Sequence, residues 1–200
     1  MSSVVSSLGV AIVTGASKGI GRAIALRLAK DGYDVGINDL PAAEESLDTL
    51  RKEIFTLGRR PFVSVGDVSV PKNVENMISS VVDNLGQLDV MVANAGIAKA
   101  GPLIDTKISD WHELFSINAF GVFLSYQYAA KQMIKQGTGG RIIGASSIAG
   151  KRGELHLGAY SATKFAVRGL TQVAGEYCDF LDATIVVTFL FKLKSGVDME

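Results

Sequence analysis

The chain has 200 residues, 48% of them hydrophobic, with Lys plus Arg and Asp plus Glu balanced at 20 each. That supplies the apolar material for the core of one domain, and a net charge of zero gives no electrostatic pull toward nucleic acid or an anionic membrane surface. Cys178 is the single cysteine, with no companion for a disulfide or a metal set, which predicts a buried thiol in a reducing compartment.

Met1 to Ser7 has neither the basic region nor the apolar run of a signal peptide, and no apolar stretch reaches the ~18 residues of a membrane span. The expected location is the cytoplasm, without a membrane partner. Val10–Val13 is a short apolar run that ends in a Gly-containing turn and gives way to helical spacing at Ile20, Ile24 and Leu28. The alternation then repeats. Asp34–Asn38 reads as extended, Glu44–Leu57 as helical, Pro61–Val65 as extended, Val74–Leu85 as helical and Leu88–Val92 as extended. A long helical pattern covers Ile108–Gln136, Arg141–Ala145 is a fifth strand, Ala159–Leu181 a helix and Thr184–Val187 a sixth strand.

Strands that alternate with helices imply a doubly wound, mostly parallel α/β sheet, a Rossmann-type fold, in a single domain. Residues 1–187 are assigned to it and 188–200 to an atypical tail. The loops Ala98–Lys107 and Ala149–Gly158 follow strand ends, where open α/β sheets bind ligands.

Thr14-Gly15-Ala16-Ser17-Lys18-Gly19-Ile20-Gly21 lies between the first strand and the first helix. Small residues there let backbone N–H groups approach a pyrophosphate at a helix N-terminus, so Gly15, Ser17, Gly19, Ile20 and Gly21 are candidate cofactor-binding residues. The spacing is GxxxGxG rather than the GxGxxG of the dinucleotide fingerprint, and the strand before and helix after it carry the assignment. Asp39, 18 residues past Gly21, ends the second strand, where a carboxylate accepts hydrogen bonds from ribose hydroxyls and repels a 2′-phosphate. This favours NAD. Lys18 is a cation able to pair with that phosphate, so NADP stays as the alternative.

TGASKGIG at 14–21, Asp67-Val68, Asn94-Ala95-Gly96, Asn118, Ser146-Ser147 and Tyr160-Ser161-Ala162-Thr163-Lys164 together resemble the short-chain dehydrogenase/reductase family in order and spacing, over residues 8 to about 187. Ala159–Gln172 is similar to the branch of diacetyl (acetoin) reductases and butanediol dehydrogenases. The resemblance implies an oxidoreductase that moves a hydride between a nicotinamide cofactor and the carbonyl or secondary alcohol of a small substrate.

Tyr160 and Lys164 are four residues apart and share one helical face, which puts an ammonium beside a phenol. An ordinary tyrosine has a pKa of about 10, and a neighbouring cation favours the phenolate, bringing the group toward general acid/base use. By the resemblance, Ser147, 13 residues before Tyr160, hydrogen-bonds the substrate oxygen, with its neighbour Ser146 the other candidate. Asn118 resembles the family's proton-relay asparagine. Asp67 and Val68 would face the adenine, and Asn94 and Gly96 the wall beside the cofactor. Asp67 and Asn94 are equally residues that form turns at strand ends. His112 and His156 have no partners at metal-ligand spacing and receive no role, so no metal is expected, although His156 with Glu154 and Leu157 borders the loop before Tyr160.

Family members continue past the sixth strand with a Pro-Gly turn, a substrate-covering segment, a helix and a seventh strand. Here Thr188-Phe189-Leu190-Phe191-Lys192-Leu193-Lys194-Ser195-Gly196 follows instead, and the expectation is a C-terminally truncated member. An alternative to the enzyme is therefore a catalytically impaired dinucleotide-binding or dimerising module. A homodimer is expected in either case, because the family's two long helices, here about 108–136 and 159–181, pack against their copies.

Overall fold

The computed structural model describes residues 7–180 and 185–192, with side chains described to residue 176. Cys178 and the expected tail at 188–200 therefore have no described side chain. Strands β1 (Val10–Thr14), β2 (Asp34–Asp39), β3 (Pro61–Val65), β4 (Val90–Ala93), β5 (Gly140–Ser147) and β6 (Ile185–Lys192) form one parallel sheet in the order β3-β2-β1-β4-β5-β6. Helices α1 (Gly19–Asp31), α2 (Glu44–Thr56), α3 (Pro71–Leu85), α4 (Ile108–Phe115), α5 (Gly121–Gln136) and α6 (Gly158–Phe180) connect them.

The period-two alternation of β1 explains the layering. Val10 and Ile12 point into one core with Val74, Met77, Ile78 and Val81 of α3, Val122, Ala129 and Met133 of α5, and Val167 of α6. Ala11 and Val13 point into the other, with Ala25 and Ala29 of α1 and Leu47, Leu50 and Ile54 of α2. Both faces of the sheet are covered, which is why its strands read as apolar runs rather than as alternating ones. Strand order reverses between β1 and β4, and the C-terminal ends of these strands open the crevice where this class of sheet binds ligands.

Several element ends shift slightly from the sequence expectation, and the larger departures are at Leu88, at the sixth strand and within Ile108–Gln136. Leu88 is buried but lies outside β4, because its backbone is served by a side chain: Gln136 Nε2 donates to its carbonyl at 2.7 Å and its N–H donates to Gln136 Oε1 at 3.2 Å. The sixth strand runs on to Lys192, with Thr188–Lys192 paired against Ile143–Ser147. The pattern over Ile108–Gln136 is not one α-helix, since Ser116–Phe120 forms a π turn between α4 and α5. The two loops noted above meet each other. Gly101 bridges Leu157 and donates its N–H to the His156 carbonyl at 2.8 Å.

Candidate functional site

The cleft at the C-terminal ends of β1, β2, β4 and β5 has a volume of about 900 Å³, within the ~300–1,000 Å³ usual for ligand sites. Gly15, Gly19, Ile20, Gly21, Asp39, Asp67, Val68, Asn94, Gly96, Tyr160 and Lys164 wall it. Ser17, Asn118 and Ser147 do not, whereas Ser146 does.

The glycine turn is held open by backbone geometry. Gly15 and Gly19 have φ of 64° and 57°, left-handed values that favour glycine, and a Cβ at Gly21 would collide with the Gly15 carbonyl oxygen. Asn94 ties the turn to β4, its Nδ2 donating to the Thr14 carbonyl at 2.9 Å and the Gly15 carbonyl at 3.3 Å. Thr14 Oγ1 accepts from the N–H groups of Asn94 at 3.0 Å and Ala95 at 3.1 Å. Lys18 precedes α1 and makes no side-chain cap, and the first turn of α1 has no acid, so the positive end of the helix faces the cleft without a competing carboxylate.

At the far end, Asp39 Oδ2 accepts from both the N–H and the hydroxyl of Ser17, at 3.0 and 2.6 Å, and Oδ1 accepts from the Leu40 N–H at 2.9 Å. Asp67 both closes a turn and borders the cleft. Its Oδ1 takes hydrogen bonds from the Ser69 N–H and hydroxyl, each at 2.8 Å, closing a turn, while the residue still walls the cleft.

Helix α6 brings Tyr160 and Lys164 together, with the Lys164 ammonium 5.5 Å from the centre of the Tyr160 ring. Lys164 is buried, and Nζ donates to the Ala145 carbonyl of β5 at 2.8 Å. Burial disfavours its charged form and pushes its pKa down to about 8. Ser147 ends β5, and its hydroxyl oxygen accepts from the Ala149 N–H at 3.2 Å, which leaves the hydroxyl proton free to donate. The Ser146 hydroxyl donates to the Lys164 carbonyl at 3.2 Å and so is committed to the packing of α6 on β5.

Asn118 sits in the π turn and is fully buried. Its Nδ2 donates to the Ile97 carbonyl at 2.8 Å and to Thr163 Oγ1 at 3.2 Å, and its Oδ1 accepts from the Ile97 N–H at 2.8 Å. The side chain therefore clamps the loop after β4 against α6. A Cβ on Gly96 would stand 3.1 Å from Asn118 Oδ1 and 3.5 Å from Lys164 Nζ, which measures how closely the three residues converge.

Sequence reasoning missed Thr14, Asn38 and Thr163. Thr163 lies between Tyr160 and Lys164, donating its hydroxyl to the Tyr160 carbonyl at 2.7 Å while accepting from Asn118. Asn38 walls the cleft, and its Nδ2 joins β2 to the Ser64 and Gly66 carbonyls at 2.9 and 3.1 Å. Thr14 was legible as the polar residue that ends an apolar strand at the turn; the other two depend on contacts distant in sequence. Among the described residues no three His, Cys, Asp or Glu side chains gather as a metal set, and no helix is long and apolar enough to cross a membrane.

Residues 9–180 match the family model of the short chain dehydrogenases, and the chain belongs to that family. It is 54% identical over 165 residues to a short-chain dehydrogenase/reductase of Armillaria gallica, a match that covers 82% of this chain and 63% of that one. It is 42% identical over 167 residues to L-2,3-butanediol dehydrogenase of Corynebacterium glutamicum, covering 84% of this chain and 65% of the relative. The chain thus spans slightly less than two thirds of the length of either. Among solved structures, a short-chain dehydrogenase/reductase from Burkholderia phymatum in complex with NAD superposes with a TM-score of 0.88 at 26% identity, over 92% of this chain and 65% of that one.

Proposed function

We propose that this chain binds NAD(H) in the cleft and serves the reversible transfer of a hydride between the nicotinamide and the carbonyl or secondary alcohol of a small substrate. The observation that carries this reading is the Lys164 ammonium 5.5 Å from the Tyr160 ring, in the same cleft as the glycine turn. The names of the relatives support it: a butanediol dehydrogenase by sequence and an NAD complex by fold.

The chain's residues fit the cofactor. Gly15, Gly19, Ile20 and Gly21 would leave the α1 N-terminus open to the pyrophosphate, Asp39 would accept from the adenosine ribose, Asp67 and Val68 would border the adenine, and Asn94 and Gly96 would shape the wall toward the nicotinamide. NAD, when bound, supplies the hydride chemistry. Tyr160 acts as the general acid/base, giving its phenolic proton to the substrate oxygen in reduction and taking it back in oxidation. Ser147 offers its free hydroxyl proton to the same oxygen, steadying the charge that develops there. Lys164 holds the ribose beside Tyr160, and Asn118 keeps Lys164 and the loop wall in register while lying on the path by which a proton reaches Tyr160. A soluble, cytoplasmic protein that reduces small ketones or diketones is the form this reading takes.

Fluorescence titration of the purified chain with NADH and NADPH tests it. NADH is expected to bind more tightly, and Asp39→Asn is expected to narrow the gap by about tenfold, the worth of one hydrogen bond to a charged group. Equal or tighter NADPH binding by the unaltered chain would point to Lys18 as the deciding charge. Binding of NADH without any carbonyl reduction would favour a binding or dimerising module.

The chain is also expected to form a homodimer through α5 and α6. Phe123 on α5 and Phe165 and Val173 on α6 are 38%, 43% and 66% exposed, apolar surface that a two-fold contact between these helices would cover. Sedimentation at micromolar concentration should give a dimer, and a clean monomer contradicts this.

A further inference from the structure

We propose that Ser17 sets the cofactor preference of this protein without touching the cofactor, by fixing the Asp39 carboxylate in place. The inference rests on the NAD reading above and deepens it. Ser17 stands in the turn after β1 and Asp39 at the end of β2, the strand paired beside it, where Thr14 faces Asn38. The turn is already pinned to that strand by the Ala16 N–H, which donates to the Asn38 carbonyl at 2.9 Å. Ser17 then places two donors on one oxygen, its N–H at 3.0 Å and its hydroxyl at 2.6 Å from Asp39 Oδ2. The Leu40 N–H holds the other oxygen at 2.9 Å.

Two features separate this role from direct contact with a ligand. Ser17 is 7% exposed and does not wall the cleft, whereas Asp39 does. The Ser17 hydroxyl proton is also already committed to the carboxylate. An ionised carboxylate has about four lone-pair positions. Three of them are taken here, which leaves room for one hydroxyl of a ribose.

The donors on both oxygens prevent the carboxylate from turning away. A 2′-phosphate brought against a carboxylate that cannot move meets its full charge, and Lys18 on the rim of the same cleft cannot draw the phosphate past it. Without the Ser17 hydroxyl, the shortest of the three contacts, only the two backbone N–H donors at 3.0 and 2.9 Å remain on the carboxylate, and the side chain gains freedom to tilt outward. Lys18 then becomes the dominant charge at that end of the cleft, and the penalty against NADPH falls while the ribose hydroxyls of NADH lose little.

Ser17 is thus a positioning residue, and the test reads selectivity rather than activity. NADH and NADPH are titrated by fluorescence against the unaltered chain, Ser17→Ala, Ser17→Thr, Asp39→Asn and the Ser17→Ala/Asp39→Asn double variant. Ser17→Ala is expected to lower the ratio of NADPH to NADH dissociation constants by about tenfold, mainly through tighter NADPH binding. Ser17→Thr keeps the hydroxyl and should keep the ratio. In the Asp39→Asn background the alanine should change the ratio no further, because the two side chains act as one unit. A ratio that Ser17→Ala leaves unchanged, an equal loss of both cofactors, or a shift that persists undiminished without the Asp39 charge overturns the inference. An unaltered chain with no preference for NADH overturns instead the reading beneath it.

Discussion

Tyr160→Phe is expected to lower NADH-dependent ketone reduction by about 10²–10⁴-fold, the usual worth of a positioned general acid, while NADH affinity stays nearly unchanged. The split follows from what the substitution removes. The ring that flanks the Lys164 ammonium remains, so the wall of the cleft keeps its shape, and only the phenolic oxygen and its proton are lost. On the proposed reading that proton is needed in turnover and not in binding, so its loss is expected to lower kcat and kcat/KM together. Lys164→Ala should behave differently and weaken both, because it deletes a buried ammonium that walls the cofactor cleft and bonds Ala145. Steady-state oxidation of NADH with diacetyl or acetoin, alongside fluorescence titration of NADH, distinguishes the two variants. Ketone reduction that survives Tyr160→Phe would assign the proton to another group.

The second large effect is on stability, and it also comes from Lys164. Burial lowers its pKa from 10.5 to about 8, so the folded chain gives up this proton at lower pH than the unfolded chain does. Between those two values the unfolded state binds more protons, and stability therefore rises with pH across the window. Below pH 8 the cost of the buried charge is fully present, on the order of 3 kcal/mol by the span between the two values. It fades as the pH approaches 10.5. Lys164→Met fills similar space and has no such dependence. Urea unfolding of both proteins from pH 7 to pH 10 should show the unaltered chain gaining on the variant by up to ~3 kcal/mol. Parallel curves would mean that the ammonium is better solvated than its 4% exposure implies. The site spends stability to hold a cation beside Tyr160, a common cost of function.

Much of the fold was legible because a parallel sheet covered on both faces leaves a simple trace, short apolar runs separated by amphipathic stretches. Val10–Val13 and Arg141–Ala145 are cases where that trace and the strand nearly coincide. The ends of elements were less legible. Leu88 is as apolar as a strand residue, yet its backbone partners come from Gln136, 48 residues away, and no local pattern announces them.

The same distinction holds in the candidate site. Gly15, Gly19, Gly21, Tyr160 and Lys164 were readable because their spacing is itself the constraint, imposed by a turn and by one face of a helix. Ser17 was readable as a member of the turn but not as the partner of Asp39, since that pairing exists only once β1 lies beside β2. Asn118 was readable only through the family resemblance. Its bonds to Ile97 and Thr163 became visible only when the loop after β4 and α6 closed around it.

The π turn at Ser116–Phe120 matters for how this segment tolerates insertion and deletion. Each residue of an α-helix advances the chain by about 100° around its axis, and a π turn accommodates one residue more than a regular turn would. Helices α4 and α5 are consequently out of phase with each other by that angle, and α5 directs Val122, Ala129 and Met133 into the core because of it. Removing one residue from Ser116–Phe120 would leave a smooth helix of the same polarity pattern, with α4 swung by about a quarter turn relative to α5. Lys99, which pairs with Asp110 and Glu113 on α4, would lose that alignment, and Asn118 would no longer face Ile97. Substitutions here alter a side chain, whereas a change of length alters the phase of α4 against α5, so at positions other than Asn118 the segment should accept variation in composition far more readily than variation in residue count.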